Sequence, residues 1–184
     1  IISLIIVVVS GFQKDVFTLN YTLRGSLNAQ LDARHIVKIM VAEFRKTVPS
    51  AVGSYPIELP TNTSVIFYSD VDSNGVVDRV RYFLTGSTIK KGVIVPTGSP
   101  LAYNVANEVV STLINNVVSS STLPVFQYYS TTYNGTNAPL PVPVDIPSIR
   151  LIKITVIIDN DPNKSPSQMV VTSSVSLRNL KDNL

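Results

Sequence analysis

Five residues between positions 70 and 78 could do chemistry together. In the run Asp70-Val-Asp72-Ser-Asn74-Gly75-Val76-Val-Asp78, side-chain oxygens fall at the first, third, fifth and ninth places, with glycine at the sixth. That is the spacing of a calcium loop, in which the glycine allows the sharp turn. Val76, at the seventh place, would add its backbone carbonyl. Calcium takes about six to eight hard oxygens, and this spacing curls alternate side chains around one point. The twelfth place holds Arg81 instead of a bidentate glutamate, so a further ligand would have to come from elsewhere, with Asp145, Asp159 and Asp161 the candidate donors. The competing reading is a plain hairpin, whose Asp and Asn residues favour the turn for their own reasons. Calcium is the one cofactor the sequence raises.

The elements flanking this run read as strands. Val65–Tyr68 and Val76–Leu84 are rich in β-branched and aromatic residues, and Asn74-Gly75 between them is a hairpin signal. In the second arm Val77, Arg79, Arg81 and Phe83 fall on one side, with Val80, Tyr82 and Leu84 shared less cleanly between the two. Thr85-Gly86-Ser87 turns the chain into a third strand, Ile89–Val95, which Pro96 closes. Glu108–Val118 is dominated by β-branched residues and is expected to be a strand or an irregular edge. Val125–Tyr129 is a short aromatic strand. Tyr133–Pro147 contains Asn134-Gly135 and prolines at 139, 141, 143 and 147, which implies an extended surface loop. Ser148–Asp159 and Met169–Leu177 are the last two strands, joined by a turn over residues 160–164.

Ahead of all this lies a stretch with no proline until Pro49. Residues 1–9 carry no charge; Ile1, Ile2, Leu4, Ile5, Ile6, Val7, Val8 and Val9 make them apolar on every side of a helix. Past Gly11, Phe12, Val16, Leu19, Leu23, Leu27 and Leu31 recur every three or four residues, the signature of one helix face. A second stripe, Ile36, Met40, Phe44 and Val48, continues with a one-residue phase slip. The helix is expected to end at Val48-Pro49, since the residue before a proline is pushed out of the α region. At 1.5 Å per residue it would reach roughly 70 Å. One helix followed by hairpin-linked strands is an α+β fold with an antiparallel sheet. The second stripe is the natural cover for that sheet. The first has no partner left in the chain, so residues 1–30 are expected to form a protruding assembly segment and residues 31–184 the globular head. Nine apolar residues fall short of the about 20 that span a bilayer, and a start on isoleucine implies a mature or truncated product.

Composition removes several function classes. With no cysteine and one histidine, His35, thiolate and His-rich metal sites are excluded, and any hydrolase triad would have to recruit a histidine from the helix. The net charge of +3 is small, and the densest basic pairs, Arg45-Lys46 and Lys90-Lys91, are too short for a nucleic-acid patch. Nothing supplies a nucleophile with its base, so enzymatic activity is not expected. Asn20, Asn62 and Asn134 each open an N-x-Ser/Thr triplet, a pattern that chance makes common in a chain rich in those residues.

A long N-terminal helix, apolar at its start and amphipathic later, followed by an antiparallel sheet, resembles a type IV pilin or pseudopilin. The segments Phe67–Leu84, Val125–Tyr129 and Val171–Leu180 sharpen the likeness towards the J-type minor pseudopilins of type II secretion. The family pattern also has a cleavage site and a glutamate near the mature N-terminus; neither occurs here, the first acid being Asp15. The resemblance implies a subunit that sits in the inner membrane through its apolar helix and is then extracted into a cell-surface or extracellular filament. The helices of other copies, or of other pilins, would be its partners. An apolar helix exchanges lipid neighbours for protein neighbours at little hydrophobic cost, and non-closing contacts of this kind generate filaments. The alternative is a monomeric, membrane-anchored binding module at the cell surface, with or without a dependence on calcium.

Overall fold

The computed structural model describes residues 13–14, 27, 29–159 and 168–177. Gln13, Lys14, Leu27 and residues 29–45 are helical; the last of these runs is α1. Among the described residues eight strands follow: β1 (Ser64–Ser69), β2 (Asp78–Thr85), β3 (Thr88–Ile94), β4 (Val109–Ile114), β5 (Val117–Val118), β6 (Phe126–Tyr129), β7 (Leu151–Ile158) and β8 (Met169–Ser176). Every pairing among them is antiparallel. The α+β class therefore stands, but the strands form two sheets where one was expected. The first is the meander β1-β2-β3-β4. In the second, β7 is central, with β5 and β6 along one edge and β8 along the other.

Two asparagines divide the sheets. Glu108–Val118, read as one segment, is two strands with Asn115-Asn116 between them. Asn116 adopts a left-handed backbone (φ 58°), which asparagine tolerates better than β-branched residues. The chain therefore leaves the edge of the first sheet at Ile114 and enters the second at Val117. Other boundaries also shift. The second strand begins at Asp78, not Val76, and the seventh at Leu151, after a 3-10 turn over Ile146–Ser148.

One core serves helix and sheets. Val65, Phe67, Val80 and Tyr82 from the first sheet, and Phe126, Ile152, Ile154, Val156 and Val175 from the second, bury against Ala33, Val37, Met40, Val41 and Phe44 of α1. The expected covering stripe is thus half right. Met40 and Phe44 are fully buried, whereas Ile36 and Val48 are only half-buried. The seam runs through Ala33, Val37 and Val41 instead, because α1 touches two sheets and a wider arc of its surface is covered. Phe44 stands 4.5 Å from Phe67 and 5.9 Å from Tyr82, ring centroid to ring centroid.

Regular helix ends at residue 45, three residues before the expected stop. Lys46 and Thr47 close the last turn with bonds to the carbonyls of Glu43 and Phe44. Val48 has already turned away, its amide donating to the Tyr68 carbonyl of β1 at 3.0 Å. The sheet edge captures the chain before Pro49 can act. The following connector hugs β1: the Glu58 amide donates to Ile66, and the Tyr68 amide to Pro56.

A polar tie reinforces the apolar contact. Glu43 of α1 reaches the sheet with both oxygens, accepting from Lys91 Nζ at 2.6 Å and from the hydroxyl of buried Tyr82 at 2.6 Å. Burial, with the Glu43 charge beside it, pushes the Tyr82 hydroxyl far above its ordinary pKa, so it is a permanent donor.

Candidate functional site

Strand alternation puts the key carboxylate under cover. Asp78, Val80 and Tyr82 lie on the face of β2 that α1 covers, while Arg79, Arg81 and Phe83 lie on the outer face, half-buried. Because side chains alternate along a strand, Asp78 inherits a core-facing position and is 1% exposed. Its register partner on β1 is Ser69, also buried.

Residues 70–77 wrap the space beside it. Asp70 accepts from the amides of Asn74 (3.1 Å) and Gly75 (2.9 Å). Asp72 accepts from the Asn74 amide (3.2 Å) and the Asn74 side-chain nitrogen (2.8 Å). Asn74 Oδ1 accepts from the Val76 amide at 2.7 Å. Ser73 and Gly75 take left-handed conformations (φ 61° and 86°), which fold the loop back on itself. Asp78 Oδ2 meets the Val71 amide at 3.5 Å, so its carboxylate faces the loop interior. The expected hairpin is real, but its connection is this wrapped loop instead of a two-residue turn.

The outcome is a convergence of negative charge. Carboxylate oxygens of Asp70, Asp72 and Asp78 all lie within 4.8 Å of one another. Asp78 Oδ1 is buried and, among the described residues, has no hydrogen-bond partner. Burial pushes the Asp78 carboxyl above its ordinary range, and the charges of Asp72 and Asp70 push the same way. Asp70 moves in the other direction: partial desolvation raises it, but the amides of Gly75, Asn74 and Ser73 together outweigh that and lower it.

Three of the nearby cations are committed elsewhere, while Lys46 stands at the loop itself. Arg79 pairs with Glu58 (2.7 Å), Arg81 with Glu108 (2.5 Å) and Lys91 with Glu43 (2.6 Å). Arg81, at the twelfth place of the calcium pattern, lies on the opposite face of β2 from Asp78 and takes no part in the loop. Asp145 and Asp159 do not join the cluster either, which corrects their nomination as donors; Asp145 accepts from the Ser148 hydroxyl instead. Asp161 is outside the described residues. All five residues picked from the spacing, Asp70, Asp72, Asn74, Val76 and Asp78, fall in or at the foot of this loop. The donor set is oxygen throughout, which suits a hard divalent cation and not a transition metal that prefers nitrogen or sulfur.

Four hydrogen bonds that hold the loop and its surroundings were not readable from the sequence. Lys46, at the end of α1, reaches Ser73 Oγ at 3.4 Å. Tyr103 donates its hydroxyl to the Val77 carbonyl at 2.7 Å and accepts from the Ala51 amide at 3.1 Å. Ser69 Oγ donates to the Glu43 carbonyl at 3.4 Å. Each joins residues 26 to 52 apart in sequence, and no local pattern marks such pairs.

The second candidate region is the apolar helix face. Ile1, Ile2, Leu4, Ile5, Ile6, Val7, Val8, Val9, Phe12, Val16, Leu19 and Leu23 lie outside the described residues. Leu27 is described and is 57% exposed; Leu31, next on the stripe, is 63% exposed. Among the described residues no helix is long and apolar enough to cross a membrane. Neither a known family model nor a curated protein matches the chain in sequence.

Proposed function

We propose that this chain is a structural subunit of a type IV pilus-like or pseudopilus filament, its N-terminal helices packing in the filament core and its β-rich heads facing outward. The supporting observation is the division of the helix surface. Ala33, Val37, Met40 and Phe44 are covered by the chain's own sheets, while Leu27 and Leu31, on the preceding apolar stripe, are left to solvent. Exposed leucines at a spacing of four on one helix face call for a partner that the head does not supply. The apolar run from Ile1 to Val9 extends the same demand towards the N-terminus. The pilin-like layout makes that partner the corresponding helix of another subunit, after an earlier residence in the inner membrane.

Electron microscopy of purified assemblies tests this. Thin filaments containing the chain are expected, and deletion of residues 1–11 should abolish them while the head still folds. Filaments that persist after the deletion sink the reading. A single copy in mild detergent, with no assembly under any condition, would favour the membrane-anchored binding module instead.

A further inference from the structure

We propose that the β1–β2 loop is a divalent-cation site selective for calcium, held by Asp70, Asp72 and Asp78 with the neutral oxygens of Asn74 and Val76, and that the bound ion fastens the loop to the end of α1. This stands on the head alone and does not depend on the filament reading.

Two independent observations carry it. The first is the convergence of three carboxylates within 4.8 Å, while Arg79, Arg81 and Lys91 are each paired to a different acid. Like charges at this separation repel, and no salt bridge among the described residues joins any of the three to a cation. The second is Asp78 Oδ1. Asp78 is 1% exposed, and among the described residues this oxygen has no hydrogen-bond donor. A buried carboxylate oxygen without a partner is costly and rare. The fault lies at the base of the loop, where the ninth-place ligand belongs. A cation among the three carboxylates satisfies the orphan oxygen and the repulsion together.

The chemistry selects the ion. All donors are oxygens, and the loop is largely exposed apart from Asp78, so water can complete the coordination. Calcium accepts such irregular, partly hydrated sets, whereas magnesium demands near-ideal octahedral geometry and sheds water reluctantly. Without the bidentate glutamate of the twelfth place, affinity should fall near the weak end of calcium modules, with Kd on the order of 10⁻⁵ to 10⁻³ M.

The mechanical consequence follows from what the loop touches. Ser73 meets Lys46 at the helix end, Ser69 meets the Glu43 carbonyl, and Val77 is held by Tyr103, which also holds Ala51 of the connector. Ordering the loop therefore stiffens the junction where the helix joins the head.

The test uses the full chain, stripped with a chelator and titrated with calcium chloride, magnesium chloride or sodium chloride of matched ionic strength. Calorimetry should show one calcium per chain, and calcium alone should raise the unfolding temperature by several degrees. Asp72→Asn changes an exposed side chain and should leave the stripped protein's folding intact while weakening calcium binding by about tenfold or more. Asp78→Asn should abolish binding; since it alters a buried group, Asp72→Asn remains the decisive variant. The proposal is overturned by no calcium-specific heat or thermal shift up to about 10 mM, well above the expected Kd. An equal shift with magnesium or sodium overturns it too, as does an Asp72→Asn response indistinguishable from the parent's.

Discussion

At the scale of single residues, side chains on the outer face of β2 are organised by charge. Arg81 lies with its guanidinium carbon 3.8 Å from the centre of the Phe83 ring and makes a two-pronged pair with Glu108, which crosses over Gly92. A Cβ at position 92 would stand 2.2 Å from Glu108 Oε1, so a glycine here leaves room for the ion pair. Its neighbour Arg79 donates to both oxygens of Glu58, at 2.7 and 3.0 Å, and the Tyr68 hydroxyl adds a third bond. The Arg79 bond, first of all, holds the Glu58 carboxyl below its ordinary value of 4.5. A carboxyl lowered on folding contributes stability that is present above its unfolded pKa and is lost as pH falls through the folded value. Denaturant unfolding between neutral pH and acid should therefore show stability declining below about pH 4.5, and Glu58→Gln should flatten part of that decline. Because the Glu58 side chain is 43% exposed, the difference should stay under about 1 kcal/mol. A variant with a profile identical to the parent's would remove Glu58 from the account.

At the scale of elements, the register of α1 on the sheets is set by shape and by one polar tie. The Phe44–Phe67–Tyr82 cluster fits the helix to the first sheet, but apolar contacts alone tolerate sliding. Glu43, bonded to Lys91 on β3 and Tyr82 on β2, allows one rotation and one height. The side chains of Glu43 and Lys91 are only 12% and 15% exposed, so the pair is shielded. Glu43→Ala would leave the Lys91 ammonium and the Tyr82 hydroxyl under cover without their acceptor. It should cost about 2–4 kcal/mol in equilibrium unfolding, with Glu43→Gln costing less because the amide oxygen still accepts. A loss below about 0.5 kcal/mol for Glu43→Ala would mean that packing alone holds the helix.

For the whole molecule, the central feature is a helix whose described residues face two environments. From Ala33 onward its buried arc belongs to the head; Leu27 and Leu31 do not. The double change Leu27→Glu with Leu31→Glu adds charge where the head makes no contact, so thermal unfolding of the head should shift by no more than about 0.5 kcal/mol. Helix-to-helix assembly should fail, because two carboxylates would have to be buried between subunits. Wild-type filaments from this variant would move the assembly surface elsewhere. The β1–β2 loop lies at the other end of the described helix, where Lys46 reaches Ser73.

The sequence alone was enough to locate the loop, the strand-forming runs and the described part of the helix, because each rests on local spacing. Oxygen donors at alternating places, β-branched runs and a period of three or four are readable without knowing what lies opposite. Of the first helix stripe only Leu27 and Leu31 are described, and both are exposed. Tertiary structure alone decided the rest. It split the strands into two sheets at Asn115-Asn116, moved the buried seam of α1 towards Ala33, Val37 and Val41, and stopped the helix at residue 45 by pairing Val48 with Tyr68. It also sent Arg81 to Glu108 and not into the loop, and left Asp78 Oδ1 buried without a partner among the described residues. These outcomes depend on which distant residue is near, and packing determines that, not spacing along the chain. Five oxygen donors could be picked out in the loop from spacing; that Asp78 among them is buried follows from its place on the inner face of β2.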